Sequence, residues 1–93
     1  TYNNSMTEER MQMIRDGLSS LEPLELNIED EGHLHVGHAG SKSGGHFKLF
    51  IVSKHFKKMT QINRHKLVYK TLDSLLKTEI HALSINAKSP DEL

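Results

Sequence analysis

The chain contains no cysteine and no tryptophan, and only two prolines. Without thiols it cannot build a disulfide scaffold, a thiolate metal site or a cysteine nucleophile from its own residues. Aromatic residues make up 5% of its 93 residues and apolar residues 35%, which suits one small soluble domain with a thin core. The longest apolar run is four residues, Leu49–Phe50–Ile51–Val52. A membrane span needs about 20 and a secretory signal core roughly 7–15, so neither is encoded here. Acids are missing from residues 32–72, which hold eight bases. Residues 1–31 carry eight acids and two bases, and residues 73–93 four acids and two bases. A net charge of zero therefore conceals an acidic start and a basic centre. Such a centre suits phosphates or an acidic protein, or is offset when the segments fold against each other.

What the chain has in quantity is histidine: seven, at positions 33, 35, 38, 46, 55, 65 and 81. Residues 1–5 are polar and read as a disordered tail or a leftover of expression. Ser5 with Glu8 three residues on forms a capping box that opens a first helix. Met11, Ile14 and Leu18 give its apolar stripe, and Gly17 reads as its stop. Leu24, Leu26 and Ile28 alternate with polar residues, as in a strand with one wet face. Residues 31–45 hold five of the six glycines and form a long loop. A second strand follows over His46–Ser53, then a connector, Lys54–Thr60.

From Gln61 to Thr78, the residues Ile62, His65, Val68, Tyr69, Leu72, Leu75 and Leu76 share one arc of a helix, with Lys66, Lys70, Asp73 and Lys77 roughly opposite. Leu83, Ile85 and Ala87 mark a third strand, and Ser89-Pro90-Asp91-Glu92 has the form of a helix start. The first two strands are expected to be antiparallel. The strand–helix–strand unit over 46–87 is expected to be a right-handed parallel crossover. The fold class is then α+β, an α-β-β-α-β-α sandwich with a three-stranded mixed sheet and helices on one face.

Two motifs fail on context. Gly37-His-Ala-Gly40 matches the RNA-clamping loop of KH domains but lies between strands rather than helices. Gly40-Ser-Lys-Ser lacks the glycine before Lys42 and the following helix of a phosphate loop. No nucleophile or paired carboxylates stand out, so a non-enzymatic chain is expected. The histidines carry the chemistry. Imidazole suits zinc, copper, nickel and iron. His33, His35 and His38 sit on one loop, and a complete zinc site needs a fourth ligand such as His46 or His81. A free-standing metal-binding module is one reading of this set. His65 reads as a core histidine, His55 as exposed, and His81 lies where helix meets third strand.

Arg64-His65-Lys66-Leu67-Val68-Tyr69, Leu72, Leu75–Leu76, Ile80-His81-Ala82-Leu83-Ser84-Ile85 and Ser89-Pro90-Asp91-Glu92 together resemble the BolA family. His46-Phe47-Lys48, leading through Val52-Ser53 to Phe56, carries the same likeness, which runs from about Met6 to the last residue and makes 6–93 a single domain. The resemblance implies a class II KH-like fold and a monothiol glutaredoxin partner. With that partner, BolA-like proteins share a [2Fe–2S] cluster whose other ligands come from glutaredoxin and glutathione. It implies His81 as one cluster ligand and a loop histidine as the other, at His35 or, because the loop is longer than in many members, at His38. No cluster is expected in the isolated protein, which is expected to be a monomer without membrane contact. The expected roles are cluster assembly, trafficking or iron sensing, in bacterial cytoplasm or a mitochondrion. DNA binding and transcription regulation, known for some members, is the second implied role, and Arg64, Lys66 and Lys70 are its candidate contacts.

Overall fold

The computed structural model describes residues 2–31 and 45–93. Helix α1 (Tyr2–Leu18) and a 3₁₀ turn lead into strand β1 (Glu25–Asp30). Strand β2 (Gly45–Val52), a second 3₁₀ turn, helices α2 (Gln61–Thr71) and α3 (Asp73–Thr78), strand β3 (Ile80–Lys88) and a last 3₁₀ turn follow. The sheet order is β1-β2-β3, with β1 antiparallel and β3 parallel to the central β2. This is the expected α+β mixed sheet. Alternation sends Ile28, Phe47, Leu49, Ile51, Leu83 and Ala87 into one core with Ile14 and Leu18 of α1, Phe56, and Val68 and Leu72 of the helical crossover. The opposite face, with Asn27, Glu29, Lys48, Ser84 and Asn86, is exposed.

Several expectations need correction. Residues 2–5 are helical rather than disordered, because α1 begins at Tyr2. Gly17 does not stop that helix. It is a contact point, where a Cβ would stand 2.8 Å from the Leu72 side chain. The helix expected over 61–78 bends at Leu72, whose backbone (φ −102°, ψ 17°) leaves the helical region while the bonds Leu72 N–H to Val68 and Leu76 N–H to Leu72 continue across it. Leu24 precedes β1 and is exposed, although its N–H donates to Val52. The expected final helix is a single 3₁₀ turn at Pro90–Glu92.

The largest departure is on α2. Ile62, expected inside, is 67% exposed, and Arg64, expected on the surface, is 3% exposed. Its guanidinium is accommodated because its donors are used. Nε donates to the Met59 carbonyl, Nη1 to the Ala87 carbonyl, and Nη1 and Nη2 grip both oxygens of Glu92. The Phe56 ring lies 6.0 Å below it. Glu92 is presented by the expected cap: Ser89 N–H donates to Glu92 and Ser89 Oγ to Asp91. Tyr69, also expected inside, is half out, but its hydroxyl donates to the Leu83 carbonyl. Lys88 accepts from Ser53 beside β2, so by alternation the Ala87 and Leu83 carbonyls face away from the sheet. Side chains of α2 satisfy both.

Between Gly45/His46 and Ile80/Ala82 the β2–β3 register shifts by one, leaving His81 as the extra residue of a bulge. Gly45 is required there: a Cβ would fall 2.1 Å from the ring of Phe47, which is 2% exposed and has no room to withdraw.

The Arg64 hydrogen bonds, then the Ser89 N–H bond, hold the Glu92 carboxyl at about 2, below its ordinary 4.5. Asp91 is lowered for the same kind of reason, first by the Ser89 hydroxyl. Both carboxylates bind protons less readily folded than unfolded, so their stabilisation is present above pH 4.5 and is lost as pH falls toward 2. Acid denaturation is expected to steepen in that window, and Glu92→Gln to flatten it. Arg64→Leu, which strands two carbonyls and a carboxylate, should lower stability in urea by about 3 kcal/mol. Gly45→Ala should cost about 1–3 kcal/mol through forced movement in a filled core.

Candidate functional site

The bulge brings together two imidazoles that are 35 residues apart in the chain. His46 is the second residue of β2 and His81 the second of β3. Because the two strands are parallel, their starts share one end of the sheet. The ring centroids lie 4.9 Å apart with the planes tilted by 45°. His81 is exposed and His46 half-buried, so a ligand can approach the pair from solvent. Rigid groups surround both. The Glu31 N–H donates to the His46 carbonyl at 2.7 Å, and the Gly45 N–H to the Glu79 carbonyl at 3.3 Å. From the helical layer, Arg10 of α1 reaches the same junction, with Nε 3.5 Å from Glu79 Oε1.

This spacing fits a shared metal. With metal–nitrogen bonds of about 2.0–2.1 Å and ring centres roughly 1.2 Å behind the nitrogens, two imidazoles on one tetrahedral metal have centroids about 5 Å apart. The pair is nevertheless incomplete. Among the described residues no group of three or more histidine or carboxylate side chains is placed to hold a metal ion. A metal held by this pair would take its remaining ligands from outside the described residues.

The other expected site residues scatter. His33, His35 and His38 lie outside the described residues, and so do the two loop motifs weighed above. His55 is exposed and bonded to Glu22 at the opposite end of β2, and His65 is half-buried on α2. Lys66 and Lys70 are exposed on α2, but Arg64 is no phosphate contact, because its donors are spent inside the protein. Sequence reasoning placed His81 correctly at a junction and gave His46 only a minor part. The signal for pairing them was the parallel crossover, which puts the starts of its two strands side by side. No helix of the described residues is long and apolar enough to cross a membrane.

Residues 18–92 match the family model described as BolA-like protein. A chloroplastic protein of Arabidopsis thaliana, BOLA1, is 47% identical over 90 residues, 91% of this chain and 56% of that protein. The chain thus spans about half the length of that relative. The DNA-binding transcriptional regulator BolA of Haemophilus influenzae is 42% identical over 71 residues, covering 76% of this chain and 67% of the regulator. Among solved structures, BolA1 from Arabidopsis thaliana superimposes with a TM-score of 0.76 at 45% identity, over 88% of this chain and 93% of that one. Relatives therefore occur in bacteria and in a plant organelle. Fold, family model and relatives agree: the chain belongs to the BolA-like protein family.

Proposed function

We propose that this protein is a non-enzymatic adaptor that binds a monothiol glutaredoxin and shares a [2Fe–2S] cluster with it, serving cluster assembly, trafficking or iron sensing. The observation that carries this reading is the His46–His81 pair, two imidazoles at ligand spacing at one end of the sheet, with no third histidine or carboxylate among the described residues placed to complete a metal site. His81 supplies one ligand. The second is His46 on the geometry and His35 of the loop on the family resemblance. The chain's own part is to hold two neutral imidazoles at fixed separation and to leave the remaining positions to glutaredoxin and glutathione thiolates. A cluster bound by imidazole in place of thiolate is less negative and has a higher potential.

A second reading, DNA-binding regulation, is favoured by the name of the Haemophilus influenzae relative and by exposed Lys66 and Lys70 on α2. The withdrawal of Arg64 into the core weakens it.

Titrating the protein into cluster-loaded monothiol glutaredoxin should produce a new visible absorption and circular dichroism spectrum that saturates at one-to-one stoichiometry. His81→Ala should abolish it. Loss in His46→Ala with retention in His35→Ala would give the second ligand to β2, and the reverse result to the loop. An unchanged spectrum with wild type would overturn the adaptor reading. For DNA, two lysine–phosphate contacts should give a slope of log K against log salt of about −2, moving toward zero in Lys66→Ala with Lys70→Ala. A wild-type slope near zero would remove that reading.

A further inference from the structure

We infer that Arg10 of α1, acting through Glu79, is a positioning residue for the His46–His81 pair. This rests on the reading of that pair as a ligand site, although its main test does not. Arg10 precedes the segment that matches the family model, residues 18–92.

Glu79 stands where three things meet. Its N–H closes the end of α3 on the Leu75 carbonyl at 2.7 Å, and its carbonyl receives the Gly45 N–H at 3.3 Å. Gly45 immediately precedes His46, and Ile80 alone separates Glu79 from His81. One residue's backbone therefore pins the starts of both strands that carry the imidazoles, at the bulge that sets their register. The Gly45 bond is long, near the limit of useful hydrogen-bond length. The backbone hold on Gly45 itself is therefore weaker than that on its neighbours, where Glu31 N–H bonds the His46 carbonyl at 2.7 Å, so the side chain of Glu79 matters.

That side chain faces Arg10. Arg10 Nε is shielded from solvent and makes no hydrogen bond, and Glu79 Oε1 lies 3.5 Å away. The two side chains are 19% and 37% exposed. A shielded cationic donor without an accepted hydrogen bond is held there by the carboxylate's charge, and the attraction works in both directions. It draws the Glu79 turn toward α1 and so fixes the carbonyl to which Gly45 bonds. Anchorage of α1 does not need Arg10. Ile14 and Leu18 are fully buried in the core, and Gly17 lets the helix approach Leu72 closely. Loss of Arg10 should then loosen the junction locally and leave the global fold in place.

The test uses the unliganded protein first. In Arg10→Met, which keeps an apolar stem, the Gly45 amide should exchange with solvent about three- to tenfold faster, while amides of central β2 keep their protection. The ring resonances of His46 and His81 should shift, and those of His55, at the opposite end of β2, should stay. Glu79→Gln should produce the same local pattern. The double variant should be no worse than either single one, the mark of one shared interaction. The swap Arg10→Glu with Glu79→Arg should restore part of the wild-type pattern. In the glutaredoxin titration, Arg10→Met should shorten the lifetime of the mixed spectrum without abolishing it.

Unchanged Gly45 exchange and unchanged His46 and His81 resonances in Arg10→Met would overturn the inference. So would a loss of protection spread evenly over all amides, which would mark Arg10 as a general stabiliser. If wild type never forms the mixed spectrum, the cluster reading fails while the local changes in unliganded protein still decide the role of Arg10.

Discussion

The Arg64–Glu92 pair holds the crossover together. Arg64 is the one buried charged side chain among the described residues, and an unmatched charge in a core carries a penalty of several kcal/mol. Its partners come from three directions: the Met59 carbonyl before its own helix, the Ala87 carbonyl on β3, and Glu92 beyond the sheet. Each fixes a different distance. The start of α2 is set against the end of β3, and the segment after β3 is folded back onto both. Ser89, itself buried, aims Glu92 by donating its backbone N–H. Because the other end of β3 carries His81, the same crossover that the arginine locks at one end presents the imidazole at the other.

Much of this fold could be read from periodicity. The alternation of Phe47, Leu49 and Ile51 marked β2, and that of Leu83, Ile85 and Ala87 marked β3, because a strand sorts its side chains to two faces whatever surrounds it. Arg64 could not be read in this way. A helical arc assigns residues by hydrophobicity, and a guanidinium enters the core only when distant carbonyls and a carboxylate converge on it. Ile62 was misread for the complementary reason: it lies on the geometric arc but in the first turn of α2, where it stays exposed. Gly17 was likewise misread, since its role shows only in its close contact with Leu72, which the arc had placed correctly in the core.

The site shows the same division. His81 was legible through the motif Ile80-His81-Ala82-Leu83, whose flanking elements announce a fixed position. His46 needed the topology. In a parallel crossover the two strand starts are neighbours, and the one-residue bulge then turns His81 to stand beside His46. His46 and His81, both held on strands, form the pair on which the proposed function rests. Holding the pair on strands lowers the ordering cost for any ligand that the two rings share.

The two donors that α2 places along β3 have a further consequence. Every open sheet has two edges, and an unguarded edge offers its backbone groups to any passing strand. On β3 the outward carbonyls of Ala87 and Leu83 are already taken by Arg64 and Tyr69, so a fourth strand would first have to evict a buried guanidinium. On β1 the defence is electrostatic instead, with Glu25, Glu29 and Asp30 along the strand. A strand approaching β3 thus meets two occupied carbonyls, and one approaching β1 meets negative charge. The bonds that tie α2 to the sheet therefore also cover part of the edge that an open sheet leaves bare.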